Sequence, residues 1–477
     1  MISRRRFLQS SVSLALVPLL PKVALSADLR VRPSWETFCT GPMYQPYCDA
    51  IATMRANHSS TDPNGWPYWA ETHRQFCPHD TSYFLAWHRG FIYRFEGRIR
   101  KLSGQPDMVL PYWNYYNTPT IPPEFLDSSS PLYRSDRTGT DVTGALGMDA
   151  YADTILHFQR GKTDAFEPLI EASPHNPVHN LIGGVMSAIT YSPKDPLFFV
   201  HHANIDRLWA AWINAGGGRH QPIPSNTYWQ GDLEYGTALK AIPRVWTTNT
   251  TTYFNYQYDD LTLPSAPADP PPSGSVSSAV AFSIAGALLP KPAAVQTTAL
   301  GAPCPLTLDE RSVSVDVPLT SQDANRVRSL MLQPASASAS TDASPLRVVL
   351  DGVHLTALGR KGGYFYKVFI NLPDQAGVNQ PERAYLIGMV GAFEITVAQM
   401  KVSMQGSGMQ GMQGMHAAHD DPDVTLVFPL TEALQRIWPT SLDKLTVSFV
   451  RVDGARHPAR GNVVKVRDFR VEADSTM

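Results

Sequence analysis

Cysteine is scarce in this chain: Cys39, Cys48, Cys77 and Cys304 are the only four in 477 residues. That number excludes a disulfide-stapled scaffold. Cys39 and Cys48 are close enough in sequence to pair in an oxidising compartment, whereas Cys77 stands among histidines and needs a different account. A dominant charge is also missing. Charged residues make up 17%, with a formal net charge of -2, so nothing electrostatic points to a nucleic-acid partner. Long hydrophobic runs are missing too. The apolar stretch from Val12 to Leu20 is too short to span a bilayer, and Pro18 and Pro21 interrupt it.

What is present is an ordinary globular composition, 43% hydrophobic, in a chain long enough for more than one domain. Ten Trp and 10% aromatics suit a large packed core more than an aromatic-binding cleft. The N-terminus, with Arg4-Arg5-Arg6 before the short apolar stretch and small residues near Ala24-Leu25-Ser26-Ala27, resembles a twin-arginine export signal. Residues 1–27 are therefore expected to engage the twin-arginine export machinery, which carries folded proteins. The mature protein is expected to be periplasmic or secreted, without stable membrane insertion.

Composition divides the rest. Residues 28–262 are rich in Trp, Tyr and His and show helical periodicity. Phe84 to Arg100 keeps one apolar face and is followed by Gly104. A second stretch opens at Asp195-Pro196 and stops at Gly216-Gly217-Gly218. Residues 263–303 carry eight prolines among Ala and Ser and read as a linker. Residues 304–477 alternate apolar and polar positions at 312–317, 346–350, 364–370 and 445–452, the period of antiparallel strands packed on one face. Within them, 332–345 and 403–415 read as loops. The expected fold is a mainly α catalytic domain, a four-helix bundle around a metal site, followed by an antiparallel β-sandwich domain.

Seven of the 14 histidines fall in two clusters: His73, His79 and His88, then His175, His179, His201 and His202. His175 and His179 are four apart and share a helix face. His88 and His202 lie inside apolar helical patterns, where a buried imidazole needs a partner. Imidazole suits zinc, copper, iron and nickel. Two three-histidine sets without an evident carboxylate ligand favour a pair of copper ions, with O2 able to bind between them.

The motifs resemble those of type-3 copper proteins, specifically tyrosinases and polyphenol oxidases. One signature is His79-x4-Phe84-Leu85-x-Trp87-His88-Arg89-x2-Ile92-x3-Glu96. The other is Asp195-Pro196-x-Phe198-Phe199-x2-His202-x3-Asp206, with Pro174-His175-Asn176-x-Val178-His179 upstream. The resemblance covers most of residues 35–260. It implies two copper ions with O2 as co-substrate, one held by His73, His79 and His88, the other by His175, His179 and His202. His201 is then a neighbour, and His58 is an alternative to His73. In fungal-type relatives a cysteine at the position of Cys77 forms a thioether to the histidine, here His79. In relatives an asparagine and an upstream glutamate orient a water that takes the phenol's proton. These match Asn176 and Glu171, with Glu167 the alternative. Asn180 lines the entrance, and Arg89 and Asp206 pair structurally.

The resemblance implies hydroxylation of monophenols and oxidation of o-diphenols to o-quinones, on small phenolic substrates. Catechol oxidase or o-aminophenol oxidase activity without monophenolase is the nearer alternative, and a haemocyanin-like oxygen carrier the more distant one. Tyr256-Gln257-Tyr258 resembles the motif closing the catalytic domain in this family. The run Tyr364–Asn371 resembles a strand of the plant enzymes' C-terminal domain, which in relatives covers the site until cleavage. Met404, Met409, Met412, Met415, His416 and His419 fall in one Gly/Gln-rich stretch that could take copper from a donor.

Overall fold

The computed structural model describes residues 29–474 apart from 163–164, 266–296, 333–343, 374–381, 407–421 and 456–459. The export segment, most of the expected linker and most of the methionine-rich stretch lie outside the described residues.

The first half is helical. A short strand β1 (Arg30–Arg32) precedes α1 (Tyr44–Ala56), α2 (Trp66–Phe76) and α3 (Phe84–Ser103). Then come α4 (Phe166–Ile170), one wider turn over Glu171–His175, α5 (Asn176–Ile182) and α6 (Leu197–Asn214). α3 starts and stops where its sequence changes. It ends on Gly104 at φ 67°, a left-handed cap that glycine takes without a Cβ penalty. Its buried stripe, Phe84, Trp87, His88, Phe91, Phe95 and Ile99, follows the 3.6-residue period. α6 is buried on nearly every side, as a helix without a polar face must be. Stacked Phe95 and Phe199, ring centroids 3.5 Å apart, pack α3 on α6.

Buried charge ties the ends of this half together. Asp206 on α6 accepts from Arg89 of α3 at 2.5 Å and from the hydroxyls of Tyr256 and Tyr258 at 2.6 Å each. Those tyrosines lie on β2 (Tyr256–Tyr258), which pairs in parallel with β1. Arg32 on β1 donates to Glu96 of α3 at 2.7 Å. Arg89 and Asp206 thus pair with each other and orient helices.

The second half is a β-sandwich with helices attached. Its elements are β3 (Thr297–Leu308), β4 (Val313–Pro318), α7 (Ser321–Met331), β5 (Leu346–Leu355), β6 (Tyr364–Ile370), β7 (Leu386–Gly391), α8 (Ala392–Gly406), β8 (Val424–Pro429), α9 (Thr431–Ile437), β9 (Lys444–Asp453) and β10 (Val464–Asp474). The sheets run β8-β5-β10-β3 and β4-β9-β6-β7, every pairing antiparallel. Leu306, Val348 and Phe469 from one meet Val368, Val447 and Phe449 from the other in a shared core.

Three expectations are corrected. β3 begins at Thr297, inside the segment 263–303 read as linker; prolines at 303 and 305 sit in a strand at the edge of its sheet, where a missing N–H is tolerated. The stretch 403–415 does not begin as a loop, because α8 runs to Gly406. Cys39 and Cys48 do not pair: no disulfide joins any of the four cysteines.

Candidate metal centre

The histidines converge from separate elements. His73 stands on α2, His79 in the loop 77–83, and His88 on α3. His175 ends the turn before α5, His179 is on α5, and His201 and His202 are on α6. All seven are buried. In each group the donor atoms lie within 4.8 Å of one another, and Cys77 joins the first group. The groups face each other: His88 stacks on His202 with centroids 4.2 Å apart, and His79 lies 5.8 Å from His175. His58, the alternative to His73, lies exposed after α1 and outside the group.

Protein contacts choose which ring nitrogens face inward. His88 Nδ1 bonds the Phe84 carbonyl at 2.8 Å, His179 Nδ1 the Met186 carbonyl at 2.8 Å, and His175 Nδ1 the Asn176 Oδ1 at 2.7 Å. Such contacts fix tautomer and ring orientation in metal sites. The Nε2 atoms of His175 and His179 and both nitrogens of His202 are then buried without a partner. Buried polar atoms are normally satisfied, so a metal ion fits what this pocket lacks. Burial holds the imidazoles neutral, with His88 and His179 pushed down to about 3, so their lone pairs are free for a metal. His201 is buried beside His175 and Tyr115, with both its nitrogens unpartnered.

Cys77 Sγ lies 3.0 Å from His79 Nδ1 and 3.8 Å from Nε2, against the ring edge between them. Glu171 and Asn176 line one cleft with His79, Asp80 and Arg160. Glu171 accepts the Asp80 backbone N–H at 2.6 Å and pairs with the Arg160 guanidinium. Its burial raises the carboxyl above the ordinary range, against the pull of Arg160. Glu167 sits deeper, accepting from the N–H groups of Leu85 and Arg160 at 3.3 Å, and burial lifts it to about 7.

Sequence reasoning missed what the second half brings. α8 sets Phe393 over the centre, its ring stacked 4.5 Å from His179 and within 5.7 Å of His175 and His79. The Asn180 side chain holds that helix start: its Oδ1 accepts the Phe393 N–H and its Nδ2 donates to Glu394, each at 2.8 Å. Gly391 packs so close to Asn180 that an added Cβ would lie 2.5 Å from it. Met389, Glu394 and Leu426–Phe428 complete the cleft. Nothing local in their sequence marks these residues.

A helical core in which two opposed sets of imidazoles fit a dicopper centre, covered by an antiparallel β domain, defines the protein as one of the type-3 copper class. Residues 47–152 and 122–215 match the family description "Common central domain of tyrosinase". A tyrosinase of Hahella sp. is 35% identical over 188 residues, 31% of this chain and 39% of its own length. A chloroplastic polyphenol oxidase of Malus domestica is 26% identical over 311 residues, 53% of this chain and 52% of its own. Haemocyanin A-type units of Enteroctopus dofleini also match, 30% identical over 176 residues, 31% of this chain and 14% of that protein. The structure of latent apple tyrosinase superposes with a TM-score of 0.51 at 20% identity, covering 94% of this chain and 98% of that one. These sequence matches support the tyrosinase/polyphenol oxidase family, with the tyrosinase central domain lying in residues 47–215, and the superposition shows a shared fold. The chain spans about half or less of the length of the relatives matched in sequence. Among the described residues no helix is long and apolar enough to cross a membrane.

Proposed function

We propose that the chain is an exported copper oxidase that uses O2 to hydroxylate monophenols and to oxidise o-diphenols to o-quinones. The observation that carries this reading is the pair of opposed groups of buried imidazoles, with nitrogens of His73, His175, His179 and His202 left unpartnered and those of His79 and His88 turned to Cys77. His73, His79 and His88 would hold one copper ion, and His175, His179 and His202 the other. Bound copper supplies the O2 chemistry.

The remaining steps belong to the chain. Asn176 fixes the ring of His175 through Nδ1. A phenol loses its proton only near pH 10 unless a base assists. Glu171, held by the Asp80 N–H and by Arg160 in the cleft it shares with Asn176, is the base, acting through a water shared with Asn176. A thioether from Cys77 to His79 would restrain that ring, and the sulfur's position against the ring edge supports it. Phe393 stands on the imidazoles where a substrate ring would approach, so the β domain acts as a cap that lowers, without abolishing, turnover by the full chain until it is displaced.

Oxygen uptake by the copper-loaded protein with tyrosine and with L-dopa tests the reading. Uptake is expected with both. Uptake with L-dopa alone reduces the activity to catechol oxidase, and reversible O2 binding with no turnover of either favours an oxygen carrier and overturns the reading.

A further inference from the structure

α8 brings a second group to the cleft besides the ring of Phe393. Lys401, eight residues further along the helix, places its Nζ 2.9 Å from Oδ2 of Asp80. Asp80 follows His79 directly and is held in place: its φ is 52°, its N–H donates to Glu171, and its Oδ1 accepts from Arg160 at 3.1 Å. One helix therefore lays an aromatic ring against the imidazoles and an ammonium against the carboxylate next to them.

We propose that Asp80 is the ammonium-recognition group of this cleft, making the chain selective for phenols and catechols with a cationic side chain. The inference rests on the oxidase reading above and names its substrate class. When α8 withdraws, Oδ2 of Asp80 loses its cation while Oδ1 keeps Arg160. Arg160 is already paired with both Asp80 and Glu171, so two carboxylates already balance its charge. The wall that stays adds Glu171, whereas Glu394 leaves with α8. An anionic side chain therefore meets carboxylates, and a cationic one replaces Lys401. If Lys401–Asp80 only pinned the two domains, its removal would change every substrate equally.

Measuring kcat/KM on the copper-loaded full chain for dopamine, 4-methylcatechol and 3,4-dihydroxyhydrocinnamate tests this. The expected order is cation, neutral, anion, with at least about tenfold from first to last, the worth of one charge-assisted hydrogen bond. Added salt should compress the spread, Asp80→Asn should reduce it to about twofold or less, and Lys401→Ala should raise dopamine relative to 4-methylcatechol. If Asp80→Asn does not fold, the salt series and Lys401→Ala decide. Turnover of 4-methylcatechol without charge preference, or a Lys401→Ala effect equal on all three, overturns this inference and leaves the oxidase reading standing. No turnover of any catechol overturns both.

Discussion

The two halves bury different things. The helical half buries an ion-pair network, Arg32 with Glu96 and Arg89 with Asp206, all at most 3% exposed, between the helices that carry the ligand histidines. The two sheets of the other half enclose mainly aliphatic and aromatic side chains. Breaking a buried pair leaves an uncompensated charge, which costs about 3–5 kcal/mol. Such a network therefore fixes α3 against α6 and so His88 against His202. The apolar core of the sandwich imposes no such constraint on the centre, which the β half touches only through side chains such as Phe393. The helical half carries the histidines, and the β half lays Phe393 across them.

That contrast can be broken at its strongest point first. His202→Ala removes one side of the stacked pair that joins the two histidine groups. Copper content by atomic absorption is expected to fall from two ions per chain to one, and catechol oxidation by about three orders of magnitude, as when a unit of interdependent groups loses one member. Full copper with retained activity would shift the ligand role to His201. Phe393→Ala should instead raise catechol oxidation by the full chain about tenfold, the scale of one lost ring contact, with copper content unchanged. A fall in copper would make the β half part of the centre and erase the distinction.

The smallest expected effect lies in pH dependence. Burial lifts Glu167 from the ordinary 4.5 to about 7, so between those values the folded state holds a proton the unfolded chain has released. Its contribution to stability is present below the unfolded value and is lost as pH rises through the folded one. Thermal unfolding should show the native protein losing a few degrees more than Glu167→Gln between about pH 5 and 7.5. An equal loss in the two would mean that Glu167 is ionised in the fold and paired with Arg160.

Local sequence patterns carried far on the helical side. The apolar stripe of residues 84–100, its stop at Gly104 and the Asp195-Pro196 start are read from periodicity and capping, and α3 and α6 follow them within a few residues. The histidine spacing marked both groups, and alternation marked β4 and β9, whereas β5 and β6 are strands as expected but buried on both faces instead of one. The start of β3 escaped because its prolines resemble linker composition, although an edge strand accommodates them.

The amino-acid order by itself determined two helix-borne histidine groups and a β-rich second half, because helix and strand periods and ligand spacing are written within a few neighbouring residues. Only the tertiary structure decided that Phe393 stands over the imidazoles, that Asn180 holds Glu394 across 214 residues, and that Lys401 meets Asp80 across 321. Those contacts arise from how one packed half docks on the other, and no local period encodes a docking geometry.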